Sequence, residues 1–552
     1  MTKQKLLLFF FILLFLIIIA KLFYLQVINP FSSASNDYLQ TKKIEPERGK
    51  IYDRNGEPMV TNKRTYLLYI EPKKITDQLR FIAKLDSVLH MGEATLAAKF
   101  DNKKDWVAVK NGLEKADKDA IGKLNLPGIG FNDQFERYYS EASQAAHLLG
   151  FVGKTDVGDS VGYFGVEGYY QKDLTGLPGV SKSERDLFGQ PIFLGTQELV
   201  NSENGRDLYL TIDKSVQEIA KRKLLTGLDT YKAKEGCVII ADPSNMQILA
   251  LTCLPDFDTE HYYDFSEDYF RDPAISNFYE PGSIFKPLIM AAAIEEKAIK
   301  PDDFYDETGP VKIGNYTIRT WDNKYEGKIS MTRILEKSSN VGMVWVGQHL
   351  GNNKLYSYLG KYGFGQTTGI DLQGEESGYI KPKSGWYPID FSTLTFGQGI
   401  AVTPIQMIRA FASLINGGKL LQPYIVDKID YQGNVKKNET KIIKQTISPL
   451  TSQIIVKMLI SDVQNGEVKW DRPKGYTIGG KTGTAQVPIA GHYDPSKTIA
   501  SFIGFAPANN PKFIALVMLK EPKASPWGSE TAAPMFFNIA KELLVYYNIA
   551  PQ

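Results

Sequence analysis

The sequence predicts an α+β chain: one N-terminal transmembrane helix, a β-rich module, and a C-terminal domain built on an antiparallel sheet of about five strands flanked by helices. Three observations carry that prediction. Residues 6–20 are uninterrupted apolar. From there to about residue 205 the chain is turn-rich, with a hairpin signal and glycine-punctuated segments. Beyond it, strand-length apolar runs fall early, at 236–241 and 248–253, and late, at 480–487, 498–505 and 512–519, with helical patterns between. Two early strands and three late ones suggest one sheet whose two ends come together in space.

The elements follow in order. Lys21 breaks the first apolar run, but residues 22–25 resume it, and a lysine near a helix end can snorkel to the interface. About 20 residues at ~1.5 Å each give about 30 Å, one bilayer core. Lys3 and Lys5 precede the run, so the N-terminus is expected in the cytoplasm. The expected organisation is a cytoplasmic tail at 1–5, an uncleaved anchor at 6–27, a first module at 28–205 and a second domain at 206–552. A cleavable signal peptide is the alternative, since Ser32-Ser33-Ala34 is a small-residue stretch. No later stretch is apolar enough to span, so both modules are expected outside the cytoplasm.

Asn55-Gly56 between 50–52 and 59–60 is a hairpin signal. Residues 73–130 alternate short helical patterns with polar stretches. Residues 207–223 read as a strand running into a helix and mark the boundary. The only cysteines, Cys237 and Cys253, flank a turn at Asp242-Pro243-Ser244-Asn245. If the strands pair 237 with 253, the two can bond; a one-residue slip puts them on opposite faces. The expectation is two buried thiols, because free cysteine behaves as a small hydrophobe. Thr403, Pro404 and Gln406 form a helix start with a capping box, and Asn416-Gly417-Gly418 ends that helix. A last helix is expected over about 530–547.

Three short segments carry the chemistry: Ser283-Ile284-Phe285-Lys286, Ser338-Ser339-Asn340 and Lys481-Thr482-Gly483. A serine hydroxyl needs a neighbouring base near neutral pH. Pro281-Gly282-Ser283 reads as a turn opening a helix, and Lys286, three positions on, shares a face with Ser283. Lysine serves as a base only when desolvation and nearby cations lower its pKa, and the apolar flanks Ile284, Phe285, Leu288, Ile289 and Met290 suit that. Ser338 and Asn340 fall at a break between helical patterns, where their side chains either line a cleft or cap helix ends. Lys481-Thr482-Gly483-Thr484 reads as a strand whose glycines let a ligand backbone approach.

Gly475, Gly480, Lys481 and Thr482 also match a P-loop letter for letter. That reading fails on context. The preceding stretch is polar and broken by Pro473, and Pro488 and Gly491 prevent a following helix. The other bulk properties narrow the field further. A net charge of +2 implies no nucleic acid, and five histidines without a His-Glu-x-x-His pattern leave no case for a bound metal. No cofactor is expected.

In order, spacing and context, these segments resemble the signature of the penicillin-binding proteins and serine β-lactamases. With Phe396-Gly397-Gln398-Gly399 and Ala532-Ala533-Pro534, and with the glycine-rich stretches 162–167 and 174–179, nearly the whole chain after the anchor is similar to a class B penicillin-binding protein, a peptidoglycan D,D-transpeptidase. Asn340 makes it similar to the cell-division type. Ile284, where Thr or Val is commoner, departs from the pattern without touching the chemistry. The resemblance implies a β-lactamase/transpeptidase-like C-terminal domain and a non-catalytic dimerisation or pedestal module before it.

It also implies roles. Ser283 is the nucleophile, Lys286 its base, Ser338 a proton relay, Asn340 the holder of the substrate amide and Lys481 a source of positive field. Thr482, Gly483 and Thr484 receive the ligand carboxylate, and the N–H groups of Ser283 and Thr484 form the oxyanion hole. Substrates would be peptidoglycan stem peptides, and β-lactams would be inhibitors. A D,D-carboxypeptidase or β-lactamase is the hydrolytic alternative, but no water-activating base can be named from the sequence. A penicillin-sensing receptor would need a signalling portion that the short N-terminal tail does not supply. Nothing before residue 230 reads as a glycosyltransferase, so a separate membrane glycosyltransferase and other division proteins are expected partners, at the cytoplasmic (inner) membrane.

Overall fold

A computed structural model of the chain describes residues 3–24, 39–140, 144–155, 159–184, 197–468, 472–489 and 492–551. These fall into two compact units, Met1–Arg48 with Thr175–Gly205, and Gly49–Leu174 with Arg206–Gln552. In the first unit, helix α1 (Lys3–Phe23) is apolar on every side and exposes its leucines and phenylalanines. Its stretch Gln4–Phe23 is long and apolar enough to cross a membrane. The end of the expected anchor and the small-residue stretch at 32–34 lie outside the described residues. The same unit holds a three-stranded antiparallel sheet of Leu39–Ile44, Gly179–Glu184 and Gln197–Val200.

The second unit opens on the expected hairpin. Asp53 accepts the N–H groups of Asn55 and Glu57, Gly56 takes φ +88°, and Ile51 pairs with Val60. The helices expected over 73–130 are present, and Phe81, Ile82 and Leu85 pack with Leu68 and Ile70. A long strand, Pro58–Ile70, was not anticipated. It pairs antiparallel with Val107–Leu113 on one side and Ile129–Tyr139 on the other. The sheet continues from Ile51–Tyr52 through Asp207–Leu210, in parallel, to Val426–Tyr431 and Asn434–Lys437. Buried Asp371 ties these stretches together: it accepts from the Tyr170 hydroxyl at 2.8 Å and from the N–H groups of Ile425 and Val426 at 2.6 and 2.9 Å.

The C-terminal half is organised by five antiparallel strands. Helix α2 (Lys214–Tyr231) leads into strands β1 (Glu235–Ala241) and β2 (Ile248–Leu254). Helices α3 (Lys286–Glu295), α4 (Asn340–Leu350), α5 (Pro404–Ile415) and α6 (Pro449–Asn465) follow, then strands β3 (Gly479–Ile489), β4 (His492–Ala506) and β5 (Phe513–Lys520) and helix α7 (Ala532–Tyr546). The strand order is β2-β1-β5-β4-β3, so the two ends of the half-chain meet between β1 and β5. Side chains alternate across this sheet. Val238, Ile240, Phe502, Ala515 and Val517 face α2 and α7, while Ile239, Ile503, Ile514 and Leu516 face the core that holds α3 and α5. Both faces are covered, which is why these strands read as continuous apolar runs. The α5 start is as expected: Thr403 caps it and Gln406 reaches back to the Thr403 N–H at 3.0 Å.

The two cysteines are not free thiols. The β1–β2 register sets Cys237 directly opposite Cys253, Cα atoms 4.1 Å apart, and the sulfurs are bonded. The turn and a bulge decide this together: the Asp242 N–H donates to the Gln247 carbonyl, a register that would set Cys237 against Thr252, and a one-residue shift between Ile240 and Ala241 brings Cys237 opposite Cys253 instead. The crosslink spans 16 residues, so replacing both cysteines by alanine is expected to lower unfolding stability by about 3 kcal/mol, read from denaturant melts of the oxidised chain and the double variant.

Candidate active site

Ser283 lies in a 3₁₀ turn, Gly282–Phe285, that runs straight into α3 at Lys286. In 3₁₀ geometry residues i and i+3 eclipse, so Ser283 and Lys286 stand one above the other. Pro287 falls in the first α-turn, where its missing N–H has no intrahelical partner to lose. From Lys286 to Ile294 the helix is buried on every side, which makes it a rigid post. A second segment clamps the turn. The Gly282 N–H donates to the Gly397 carbonyl at 3.0 Å, and a Cβ on Gly397, at φ +81°, would lie 2.2 Å from the Gly282 oxygen. This accounts physically for Phe396-Gly397-Gln398-Gly399.

The second motif sits at the break between Met331–Glu336 and α4, where Ser338 takes a left-handed φ of +53°. Ser339 caps α4 by accepting the Gly342 N–H at 2.9 Å, and its hydroxyl bonds buried Glu307. Glu307 also binds the Lys337 ammonium at 2.8 Å. Pinned this way, the break presents three oxygens to one amine. Lys286 Nζ donates to the Ser338 carbonyl at 2.6 Å, to Asn340 Oδ1 at 2.8 Å and to Ser338 Oγ at 3.1 Å. Burial, and next the charge of Lys481, push the Lys286 pKa well below that of an ordinary lysine, against the opposing pull of Glu467 and Asp462.

The third motif is on edge strand β3. Gly483 packs on the Ser283 turn so closely that a Cβ there would lie 2.9 Å from Ile284 Cγ2. Lys481 Nζ is 3.3 Å from Thr482 Oγ1 and 3.3 Å from Asp462 Oδ2, an ion pair buried at both ends. Burial is the main cause that raises the Asp462 pKa to about 7; Lys481 pulls it down and Glu467 pushes it further up. The Thr482 hydroxyl donates to Glu467 Oε2 at 3.0 Å, and Thr484 Oγ1 accepts the Gly528 N–H at 3.0 Å.

Ser283, Ser338, Asn340, Thr482 and Thr484 line one pocket of about 100 Å³, with Trp321, Phe396, Gln398, Glu467 and Trp527. Lys286 and Lys481 stand behind that wall, each touching a residue that forms it. A larger cavity of about 630 Å³, bordered by Arg271, Tyr279 and Met518, contains none of these groups. Several residues of the site were not foreseen. Asp462 sits on the buried stripe of α6 with Ile455 and Leu459, and an acid in an apolar stripe was a signal that could have been read. Glu467, Trp321 and Trp527 lie outside helix and strand, where no periodicity marks them. The two tryptophans meet with ring centroids 5.3 Å apart.

Such a site has the parts to make and hold a serine ester: a pocket-lining serine one helical turn from a desolvated amine, a second hydroxyl 3.1 Å from that amine, and threonine hydroxyls next to a buried lysine. The comparisons agree with that class. Residues 236–541 match the model of the penicillin binding protein transpeptidase domain, and residues 43–210 that of the penicillin-binding protein dimerisation domain. The chain belongs to the penicillin-binding protein transpeptidase family. It is 35% identical to the stage V sporulation protein D of Bacillus subtilis, over 94% of this chain and 81% of that one. It is 28% identical to the peptidoglycan D,D-transpeptidase FtsI of Escherichia coli K12, over 97% and 90%. Among solved structures, a peptidoglycan synthetase from Bifidobacterium adolescentis aligns with a TM-score of 0.76 at 28% identity, covering 93% of this chain and 98% of that one. Penicillin binding protein 2X from Streptococcus thermophilus shares the fold, with a TM-score of 0.78 at 24% identity, over 92% and 80%.

Two outcomes follow. Gly397→Ala is expected to displace the Ser283 turn and slow acylation by about 10²-fold, the scale of a ~1 Å misplacement, read from stopped-flow trapping of the serine with a β-lactam. For Asp462, the folded chain keeps a proton up to pH of about 7. An unfolded aspartate loses it near 3.9. The folded state is therefore favoured most below about pH 4, and that contribution fades as pH rises to about 7. Asp462→Asn is expected to remove this slope, on the order of a few kcal/mol, in urea melts taken between pH 4 and 8.

Proposed function

We propose that this chain cross-links peptidoglycan stem peptides through an acyl-enzyme on Ser283, and that β-lactams acylate the same residue. The observation that carries the reading is the Lys286 amine: buried, held by Ser338 and Asn340, and depressed in pKa beside the Ser283 pocket. A neutral amine has two N–H bonds, which the Ser338 carbonyl and Asn340 Oδ1 satisfy. Its lone pair then takes the Ser283 proton as the oxygen attacks the penultimate D-Ala carbonyl. Ser338 Oγ, 3.1 Å from Lys286 Nζ, passes that proton to the departing D-Ala nitrogen. The N–H groups of Ser283 and Thr484 hold the oxyanion, and such a donor contributes about 10²–10³ in rate. Thr482, Gly483 and Thr484, with Lys481 behind them, receive the terminal carboxylate. The amine of a neighbouring stem then resolves the ester.

The finer assignments are part of the same reading. Residues 1–5 are a cytoplasmic tail, 6–27 a single-pass anchor in the cytoplasmic membrane, 28–205 the non-catalytic module and 206–552 the extracytoplasmic transpeptidase. The role is septal, supported by Asn340 and by relatives named FtsI. A membrane glycosyltransferase supplies the strands, with division proteins docking through the anchor and the module. The hydrolytic alternative gains one observation, because a carboxylate, Glu467, does line the pocket.

Ser283→Ala is expected to bind penicillin only reversibly while keeping its melting temperature; a stable label on that variant overturns the proposal. Lys286→Ala is expected to acylate about 10²–10⁴-fold more slowly. Lys286→Arg should not rescue it, because a guanidinium stays charged. Mass spectrometry of the labelled peptide and stopped-flow rates check both.

A further inference from the structure

Glu467 is the one carboxylate that lines the catalytic pocket among the described residues. It stands where the proposed function puts a different carboxylate. Lys481 Nζ donates to Thr482 Oγ1, and that hydroxyl in turn donates its single proton to Glu467 Oε2, 3.0 Å away. A threonine hydroxyl has one proton to give. It cannot serve Glu467 and the terminal carboxylate of a donor stem together, and two like charges a few ångströms apart repel. Glu467 follows Gly466 just beyond the C-terminal end of α6 and is half-buried.

We propose that Glu467 is an internal counterpart of the substrate carboxylate, which competes with the donor stem for Thr482 and, once the terminal D-Ala has left, presents its charge to the ammonium group of the acceptor stem. This rests on the acyl-enzyme reading above. Before acylation, the donor carboxylate must turn Glu467 away from Thr482. When the D-Ala departs it takes its own carboxylate with it, and Glu467 returns to the hydroxyl. The pocket then holds one unshared negative charge beside the ester. An amine acceptor arrives as a cation in neutral water, and a carboxylate attracts it; it attacks after shedding one proton to solvent, and the second proton it loses on forming the amide goes through Lys286 to the departing Ser283 oxygen, whereas a water molecule gains no comparable attraction. Returned to Thr482, Glu467 also opposes recapture of a released D-Ala, which needs the same hydroxyl. One side chain thereby biases the second half-reaction toward amine transfer and against both hydrolysis and reversal.

The test compares the full chain and its Glu467→Gln variant in two assays. The first measures acylation of Ser283 by a β-lactam as the free acid and as its methyl ester. The ratio of the two rate constants isolates competition for Thr482, because any change at Lys286 affects both ligands alike. It is expected to rise about tenfold in the variant, the scale of a charged hydrogen bond. The second partitions a preformed acyl-enzyme between water and an acceptor, using a cationic primary amine and, separately, neutral hydroxylamine. The variant is expected to lose several-fold in transfer to the cationic amine and to keep transfer to hydroxylamine. An unchanged or lower acid-to-ester ratio overturns the competition. Equal losses for both acceptors overturn the acceptor role. Hydrolysis that collapses in the variant while aminolysis persists would make Glu467 a water-activating base and overturn the proposal in favour of a hydrolase. A wild-type chain that no ligand acylates overturns the Ser283 reading itself, and this proposal with it.

Discussion

The three oxygens that hold the Lys286 amine are a carbonyl, a hydroxyl and an amide oxygen, and none of them is a carboxylate. Much of the site follows from that constraint. An ammonium group taken out of water without a counter-charge is expensive, and the group sheds its proton instead. Burial supplies most of the effect, and the nearby Lys481 cation adds to it. Lys481 is just as buried, yet the carboxyl group of Asp462 stands 3.3 Å from it. Two lysines in one site are thereby given different surroundings: Lys286 faces three oxygens that carry no charge, and Lys481 faces a carboxyl group. Pairs of titratable groups whose surroundings push them apart are how a fold assigns acid and base roles.

That charge arrangement needs a rigid frame, because the cost of a misplaced amine or hydroxyl is steep. The frame is the five-stranded sheet and the buried helix α3. Both faces of the sheet are covered by apolar side chains, and β3, which carries Lys481 to Thr484, is held at its edge by pairing with β4 along its whole length. The Ser283 turn is gripped on two sides, by Gly397 through a backbone hydrogen bond and by Gly483 through packing on Ile284. The break at Ser338 is locked from behind by Glu307, which binds both Lys337 and Ser339. Neither Gly397 nor Glu307 lines the pocket, yet each fixes the position of a residue that does.

The pocket is also unusual in its sign. The site proposed to receive a ligand carboxylate already holds one, Glu467, on the Thr482 hydroxyl. In a site with two lysine amines close by, an extra negative charge is tolerated, and it exerts a pull on Lys286 opposite to that of Lys481. The balance among Lys286, Lys481, Asp462 and Glu467 is therefore a property of the four together and not of any pair.

Local patterns carried much of the architecture. The apolar run of α1, the Asn55-Gly56 hairpin, the Thr403–Gln406 capping box and the five strands of the C-terminal sheet were legible because each is a short-range rule: periodicity, a turn dipeptide, a cap. The three motifs were legible because their order and context are specific, and the residues they name do meet around one pocket. What was not legible depends on long-range register or on loops without periodicity. The pairing of Cys237 with Cys253 turns on a single residue of strand slip, which composition does not encode and a bulge between Ile240 and Ala241 decides. The strands Pro58–Ile70 and Ile129–Tyr139 pair across some sixty residues of chain, where each alone reads as mixed and polar. Asp462 and Glu467 acquire their meaning only from Lys481 and Thr482, brought to them by the fold from a separate strand. The sequence by itself determined which three motifs come together around one pocket and roughly which elements bear them; the tertiary structure decided which charges face each other, because burial and distance set a lysine's or a carboxylate's protonation and neither exists before the chain is folded.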